Sequence, residues 1–467
     1  MQGLLERGDT VSRGVIVPPV SGPGYLRRDI GGRRRNRNLQ RLGGLVGAVL
    51  LTLAILSPGS AATPAGIPSA SVSAGLGTLS ADFWGINYDA AIGTYANRTV
   101  AGYVNETPFH FFRLPIQGSL SSIYPSAFTL CTWVDCGSEV TVGGPGVHPL
   151  QAAQEVRNLI DNESVKATWW AFGNEPNLWH PKVTGLQYAQ DLHQFITDVR
   201  SFDPQAQFVG IEMAGQPIKL DPFLSNVTRI DGPNISMIGL HSYSQEGGTS
   251  GNLLDDFMRG LFGVASVAEA AVNARQVITA ACATCHIQVA VTEINDGDAG
   301  MTVYNPYRQG YPEEVFIAGA AVQALTSNVS PFAPWTLTAL ADLKCDIGMI
   351  ELNARCDGIT RTVNPAFYFF STLAPMLPIG GTIYKVVVPH QLYTFAAEVA
   401  NATVSRLLVV NANPSENATF SLGSLAGKDS RVSAYLLTNA SWAQPIQTSF
   451  PSDDVVLPPL SVAVLDL

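Results

Sequence analysis

Two glutamates carry the chemistry this chain could perform. Glu175 lies in Trp169-Trp170-Ala171-Phe172-Gly173-Asn174-Glu175-Pro176-Asn177, where an aromatic, apolar run ends abruptly in Asn-Glu-Pro. Such a run reads as a barrel strand whose C-terminal tip delivers a carboxylate into a cleft, and the proline after Glu175 stops further strand pairing. Glu293 ends a second β-rich run, Ile287-Gln288-Val289-Ala290-Val291-Thr292, with Ile294-Asn295-Asp296-Gly297 following it. Taken alone, Asn-Glu-Pro suits a surface acid as well as a working proton donor. The second strand-terminal glutamate favours the donor, because two carboxylates at the C-terminal ends of two strands of one barrel face the same opening. Paired acids across a sugar's anomeric centre hydrolyse glycosidic bonds. One, with a raised pKa, protonates the leaving oxygen, and the other, kept ionised, attacks the sugar carbon.

The elements needed to hold such a pair are legible around it. Phe83–Asp89 reads as a first strand, Phe111–Pro115 as a second, the short Glu139–Val142 as a third, Gln207–Met213 as a fifth and Ser236–Tyr243 as a sixth. Helical spacing covers Gln151–Leu159 and Leu186–Val199, a long Ala/Val stretch runs over Phe257–Ala281, and Glu313–Leu325 is a further helix. Strands alternating with helices indicate a parallel α/β barrel. After about residue 365 the pattern changes to short strands without helices: Tyr384–Val388, Tyr393–Ala396, Ser405–Val410, Val432–Leu436 and Val462–Leu465. That is the pattern of an antiparallel β-sandwich. The expected organisation is an export segment at 1–62, a linker with a candidate sandwich strand at 63–82, a (β/α)8 TIM barrel at 83–362 and a C-terminal β-sandwich domain at 363–467.

Asn174-Glu175 and Glu293, in this order and context, resemble the retaining glycoside hydrolases of clan A, in which an Asn-Glu pair closes strand four and a glutamate closes strand seven. The pentapeptide Gly173-Asn174-Glu175-Pro176-Asn177 is most similar to family 79, the β-glucuronidase and heparanase group. The resemblance implies Glu175 as acid/base, Glu293 as nucleophile and Asn174 on the sugar's 2-hydroxyl. It also implies Tyr243, in His241-Ser242-Tyr243, as the hydroxyl that hydrogen-bonds the nucleophile, with His241 beside it. The other reading of that pair is loop-end packing under the cleft. Arg113, in Phe111-Phe112-Arg113-Leu114-Pro115, matches the arginine the clan places beneath the catalytic pair, where positive charge favours an ionised nucleophile; a structural ion pair suits it equally. Trp335, in Pro334-Trp335-Thr336-Leu337, matches the strand-eight tryptophan that floors the sugar site, or else a core tryptophan. The chain departs from family 79 after Arg113, where Leu114-Pro115-Ile116-Gln117-Gly118-Ser119 lacks the usual glycine pair. That bears on specificity for a uronic acid more than on hydrolysis.

The remaining composition bounds the partners. A chain of 467 residues, 46% hydrophobic and 14% charged, suits a well-buried barrel plus an accessory domain. The first 62 residues hold nine of the 27 basic residues and three of the 37 acidic ones, leaving 18 against 34. A body this acidic argues against nucleic acid or heparin-like polyanions held by bulk attraction; the paired glutamates make a carbohydrate the expected partner. A single uronate could still be held locally, with Lys182 and Arg308 as candidates. Arg33-Arg34-Arg35-Asn36-Arg37, the apolar run Leu42–Leu56 and Ser57-Pro58-Gly59-Ser60-Ala61-Ala62 read as a signal peptide, with an uncleaved membrane anchor as the alternative. The six cysteines fall as neighbours, most simply Cys131/Cys136, Cys282/Cys285 and Cys345/Cys356, as in an exported protein. Nine Asn-x-Ser/Thr sites fit a glycosylated secreted protein or a Ser/Thr-rich bacterial export protein with incidental matches. No metal or organic cofactor is expected. The rival readings are a β-xylosidase or β-glucosidase of a neighbouring clan family and a non-catalytic carbohydrate-binding protein on a barrel scaffold.

Overall fold

Seven apolar runs pair side by side as parallel strands: β1 (Gly85–Asn87), β2 (Phe111–Pro115), β3 (Gly137–Val142), β4 (Trp169–Phe172), β5 (Phe208–Ala214), β6 (Met237–Tyr243) and β7 (Gln288–Asn295), in that spatial order. Every residue of β2, β5 and β6 is buried, as expected for strands covered on both faces. The 331–337 segment closes the ring. Gly85 N–H donates to Phe332 C=O at 2.9 Å on the β1 side, and Ala333 N–H donates to Val291 C=O at 2.8 Å on the β7 side. The computed structural model describes residues 67–88, 98–115, 124–215, 221–243, 253–263, 266–295, 310–340, 348–352, 363–427 and 430–467.

Helices alternate with these strands. Pro149–Glu163, Gly185–Arg200 and Tyr311–Thr326 occupy the stretches expected to be helical. The 257–281 stretch is two helices rather than one, Leu253–Phe262 and Val267–Ala281. The second starts afresh at Ser266, whose hydroxyl accepts from Glu269 N–H, and an N-cap of that kind marks a new helix even inside an apolar run. Three further helices, Arg98–Val104, Tyr124–Val134 and Asp221–Asp231, had no expectation attached to them.

The barrel interior is layered. Phe111, Ala171, Val209, Met237, Ala290 and Ala333 pack as an apolar floor. Above the floor the inward-facing side chains turn polar, and two register slips are what aim them. Val209 pairs with Met237 but Glu212 with Gly239, so β5 carries one residue more than β6 across this span. Leu240 pairs with Val291 but His241 with Glu293, leaving Thr292 as the extra residue on β7. Because side chains alternate between faces, one extra residue brings a position three along back to the same face. Val209 and Glu212 therefore both point inward, and so do Ala290 and Glu293.

The antiparallel part is one sheet in the order Ser71–Thr78, Thr382–Val387, Thr394–Ala400, Ser405–Asn411, Ser461–Asp466, Arg431–Thr438, Ile446–Pro451, with a small Ala418–Phe420/Val455–Leu457 pair packed on it. The strand that precedes the barrel is thus an outer member of this sheet. Pro365–Met376 is helical, where short strands without helices were expected. Tertiary packing decides it, since Phe367, Phe369, Phe370 and Leu373 are buried and Phe370 meets Trp84 and Phe109 edge-on or tilted. By their contacts, residues 65–467 form one unit, barrel and sheet together. The Tyr311–Thr326 helix joins them: it contacts β7 on one side and the Thr382–Val387, Thr394–Ala400 and Ser405–Asn411 strands on the other. Tyr311 hydroxyl donates to Leu437 C=O at 2.7 Å. Beside it Glu314 is fully buried, and neither of its carboxyl oxygens has a hydrogen-bond partner.

Disulfides join Cys131 to Cys136 and Cys282 to Cys285. Cys345 and Cys356 lie outside the described residues, as do the 1–62 segment and Arg308. Among the described residues, no helix is long and apolar enough to cross a membrane.

Candidate active site

The tip of β4 is built by a chain reversal. Gly173 takes φ +74°, where an added Cβ would enter the indole of Trp179, and Glu175 itself sits in the left-handed region at φ +49°. Positive φ at a glutamate is costly and is held by its surroundings. Glu175 N–H donates to Glu212 C=O at 3.0 Å, Trp179 Nε1–H donates to Asn174 C=O at 2.7 Å, and Asn177 Nδ2–H donates to Ala214 C=O at 2.6 Å. The residues around Asn-Glu-Pro thus fix the carboxylate's backbone from three directions.

Arg113 occupies the centre of the polar layer with no solvent exposure. Its guanidinium donates to Glu293 Oε1 at 2.5 Å, Asn174 Oδ1 at 2.6 Å, Asn87 Oδ1 at 2.9 Å and Glu139 Oε1 at 3.2 Å, and lies 3.1 Å from Glu212 Oε2. Burial alone would weaken its charge, but the surrounding glutamates hold it firmly protonated. Asn87 in turn donates through Nδ2 to Thr292 C=O at 2.6 Å, a carbonyl at the bulge of β7. One buried arginine therefore ties β1, β2, β3, β4, β5 and β7 together beneath the pocket.

Tyr243 hydroxyl donates to Glu293 Oε2 at 2.6 Å, so both oxygens of Glu293 are held by donors and its orientation is fixed. Burial, the charge of Glu293 and this hydrogen bond push the Tyr243 hydroxyl well above its ordinary pKa, so it remains a donor. His241, from the same strand, bridges the acids. Its Nδ1 is 2.9 Å from Glu175 Oε1 and 3.3 Å from Glu293 Oε2, and its Nε2 is 2.8 Å from Glu212 Oε2. Burial and Arg113 oppose a charge on the ring, but the facing carboxylates prevail and raise His241 to about 10.

Glu175 departs from what a proton donor was expected to show. Burial pushes its pKa up, but the hydrogen bond and charge of His241, with Arg113, bring it below the ordinary carboxylate value. These opposite shifts favour the proton on His241 over Glu175. Glu293 is 4% exposed, while the Glu175 side chain is 23% exposed, so Glu175 is the more accessible acid. An oxygen of Glu175 and an oxygen of Glu293 lie within 4.8 Å of each other, with His241 Nδ1 inside the same limit. Among the described residues these three side chains each offer one ligand atom within that limit, and protonation of His241 competes with any metal ion there.

The structure therefore brings Glu175, Glu293, Asn174, Tyr243, His241 and Arg113 together. Trp335 stands at the same end, half-buried. Its backbone N–H donates to Ile294 C=O at 3.0 Å, and Asn295 Nδ2–H donates to its backbone carbonyl at 2.6 Å. Lys182 is exposed in the segment after β4. Sequence reasoning did not single out Glu139 and Glu212, both wholly buried in the polar layer. An acid inside an otherwise apolar barrel strand, as in Val209-Gly210-Ile211-Glu212-Met213, was the available signal, since a carboxyl there must find partners.

No protein-family model matches the chain, and neither does any curated protein. Solved structures do match. An α-L-arabinofuranosidase from Thermotoga maritima, in complex with arabinose, superposes with a TM-score of 0.64 at 13% identity, over 86% of this chain and 99% of that one. A family 51 arabinofuranosidase from Xanthomonas axonopodis pv. citri gives 0.64 at 11% identity, over 85% and 99%. A family 30 endoxylanase from Clostridium papyrosolvens C71 gives 0.57 at 13% identity, over 85% and 99%. At these identities the likeness establishes the architecture, a (β/α)8 barrel with a β-rich C-terminal domain.

Proposed function

We propose that this protein is a retaining glycoside hydrolase working by double displacement, with Glu293 as nucleophile and Glu175 as acid/base. The observation that carries this is the carboxylate pair. Two acids from strands four and seven approach within 4.8 Å across one pocket, one locked by Arg113 and Tyr243 and the other, the more accessible, beside a charged histidine. Carboxyl groups about 5–5.5 Å apart suit direct attack on the anomeric carbon, whereas inverting enzymes hold theirs at about 6.5–9.5 Å to admit a water. Glu293 attacks the sugar carbon while Glu175 protonates the leaving oxygen. Glu175 then deprotonates the water that hydrolyses the glycosyl-enzyme. Asn174, oriented by Arg113, is placed to meet the sugar's 2-hydroxyl, and Trp335 to lie under the ring. Neighbours named as arabinofuranosidase and xylanase support a glycosidase and favour the xylosidase-like alternative over a glucuronidase within the same chemistry. A glucuronide reading, and with it family 79, needs a carboxylate-binding group beside the sugar's C6. Arg113 is already committed beneath the acids, so that role falls to other groups. The export segment and the two disulfides favour an extracellular site of action.

The test is a panel of aryl glycosides, with xyloside, arabinofuranoside, glucoside and glucuronide side by side, on wild type, Glu293→Ala and Glu175→Ala. Glu293→Ala should abolish turnover of every substrate. Glu175→Ala should lose about 10²–10⁴-fold on poor leaving groups and much less on the first step with dinitrophenyl glycosides, which leave without a proton. Full activity in Glu293→Ala removes that residue from the mechanism and the proposal with it.

A further inference from the structure

We propose that Glu212 is a positioning residue: from β5 it holds His241 as an imidazolium shared between Glu175 and Glu293, and Glu139 holds Glu212 in place as a neutral hydrogen-bond donor. Its mechanistic consequence rests on the glycosidase reading above, whereas the charge state of the histidine does not.

Neither residue can touch a sugar, since both are 0% exposed, so whatever they do is done through other groups. Glu212 Oε2 collects donors from three sides: His241 Nε2 at 2.8 Å, Thr292 hydroxyl at 2.5 Å and the Arg113 guanidinium at 3.1 Å. An oxygen receiving three donors is that of a carboxylate. Burial pushes Glu212 up, but Arg113 and these hydrogen bonds bring it below its ordinary value. Room for its other oxygen comes from Gly239, where an added Cβ would collide with Glu212 Oε1 and Thr292 Oγ1.

Glu139 is the neighbouring carboxyl of Glu212 in this layer. Glu212 Oε1 and Glu139 Oε2 are both buried without a hydrogen-bond partner, and the two groups lie close enough to raise Glu139. A proton on one of them turns that contact from repulsion into a hydrogen bond. Glu139 has a single donor of its own, Arg113 Nε at 3.2 Å, so it is the weaker carboxylate and takes the proton. Burial and the charge of Glu212 push it well above its ordinary value, with Arg113 opposing. Glu212 is an anion, Glu139 is neutral, and His241 has carboxylate oxygens at both ring nitrogens, so both nitrogens carry hydrogen. The titratable groups around this unit are Arg113 on β2, Glu139 on β3, Glu175 after β4, Glu293 on β7, Tyr243 on β6 itself and Tyr188 from the Gly185–Arg200 helix, whose hydroxyl feels Glu212.

The arrangement stores the proton that Glu175 needs. In the first step the His241 Nδ1–H bond breaks as the Glu175 Oε1–H bond forms, and His241 is left neutral with its Nε2–H on Glu212. Glu175 then passes that proton to the leaving oxygen. In the second step Glu175 takes a proton from the attacking water and returns it to Nδ1, so the cycle consumes none.

The experiment is histidine NMR on the full chain, with the His241 resonances assigned by their loss in His241→Gln. Wild-type His241 should remain an imidazolium until pH about 10. Glu212→Gln should lower that midpoint by more than one pH unit, and Glu139→Gln, which replaces one neutral donor by another, should leave it within a few tenths. In kcat/KM against pH, Glu212→Gln should bring the alkaline limb down by the same amount, whereas a merely structural defect would lower activity equally at all pH values. A neutral His241 at pH 7 in wild type, a midpoint unmoved by Glu212→Gln, or one moved as far by Glu139→Gln overturns the inference. If Glu212→Gln does not fold, the wild-type and Glu139→Gln titrations decide. Retained turnover in Glu293→Ala would instead defeat the glycosidase reading while leaving the titration standing.

Discussion

Replacing Glu314 by glutamine should make the protein more stable, and increasingly so as pH rises. Glu314 sits in the helix between barrel and sheet, fully buried, with no hydrogen bond to either oxygen, and burial alone drives its pKa well above the ordinary value. A carboxyl of that kind keeps its proton in the native state after the unfolded chain, titrating near about 4.3, has lost it. The native state then binds more protons than the unfolded state, so stability falls with rising pH, at about 1.4 kcal/mol per pH unit, until the native carboxyl itself ionises. Between pH 5.5 and 6.5 the unfolded chain is almost wholly ionised at this site, so the slope there is set by how far the native carboxyl keeps its proton. Glutamine keeps the volume and the buried polarity and removes only the ionisation. The assay is urea unfolding of wild type and Glu314→Gln at half-unit steps from pH 5 to 7. The difference in unfolding free energy should grow with pH across 5.5–6.5, by up to about 1.4 kcal/mol. Parallel curves would mean that Glu314 ionises in the folded state as easily as in the unfolded chain, and the account of its surroundings would be wrong.

Two further outcomes follow from the site. Tyr243→Phe removes a hydrogen bond to a charged carboxylate, worth about 1.5–3 kcal/mol, so kcat on the best aryl glycoside should fall roughly 10- to 150-fold with KM little changed. Gly173→Ala forces a side chain into a left-handed backbone and into the Trp179 ring. It should lower stability by about 1–3 kcal/mol in thermal melts, and should cost activity as well, because Asn174 and Glu175 ride on that turn.

The parts of this molecule legible in its sequence are those where chemistry interrupts a pattern. Glu175 and Glu293 stand at the ends of apolar runs, and His241, Tyr243 and Arg113 break runs that are otherwise hydrophobic. The short Glu139–Val142 run between glycines was enough to place β3. Glu139 and Glu212 escaped notice as functional groups because one reads as a strand's first residue and the other as a polar interruption. What turns Glu212 inward is a one-residue slip against β6, and a slip in pairing leaves no local mark on composition. The same holds for Thr292, whose place as the extra residue aims Glu293. The helical Pro365–Met376 turn is apolar on most sides, so its periodicity is weak, and only its packing against Trp84 and Phe109 identifies it.

The Ser71–Thr78 strand ties the order of synthesis to the finished shape. Ser73 hydroxyl accepts from the backbone N–H of Lys385, 312 residues further on, so this piece leaves the ribosome long before its mate exists. All eight of its residues are exposed, which suits a segment that must stay soluble while it waits. A trimmed gene product starting after Leu79 would have its Thr382–Val387 edge bare, and a bare edge recruits strands from other molecules. Aggregation on such trimming, with the sugar pocket untouched, is the cost of fastening the last-made layer with the first-made thread.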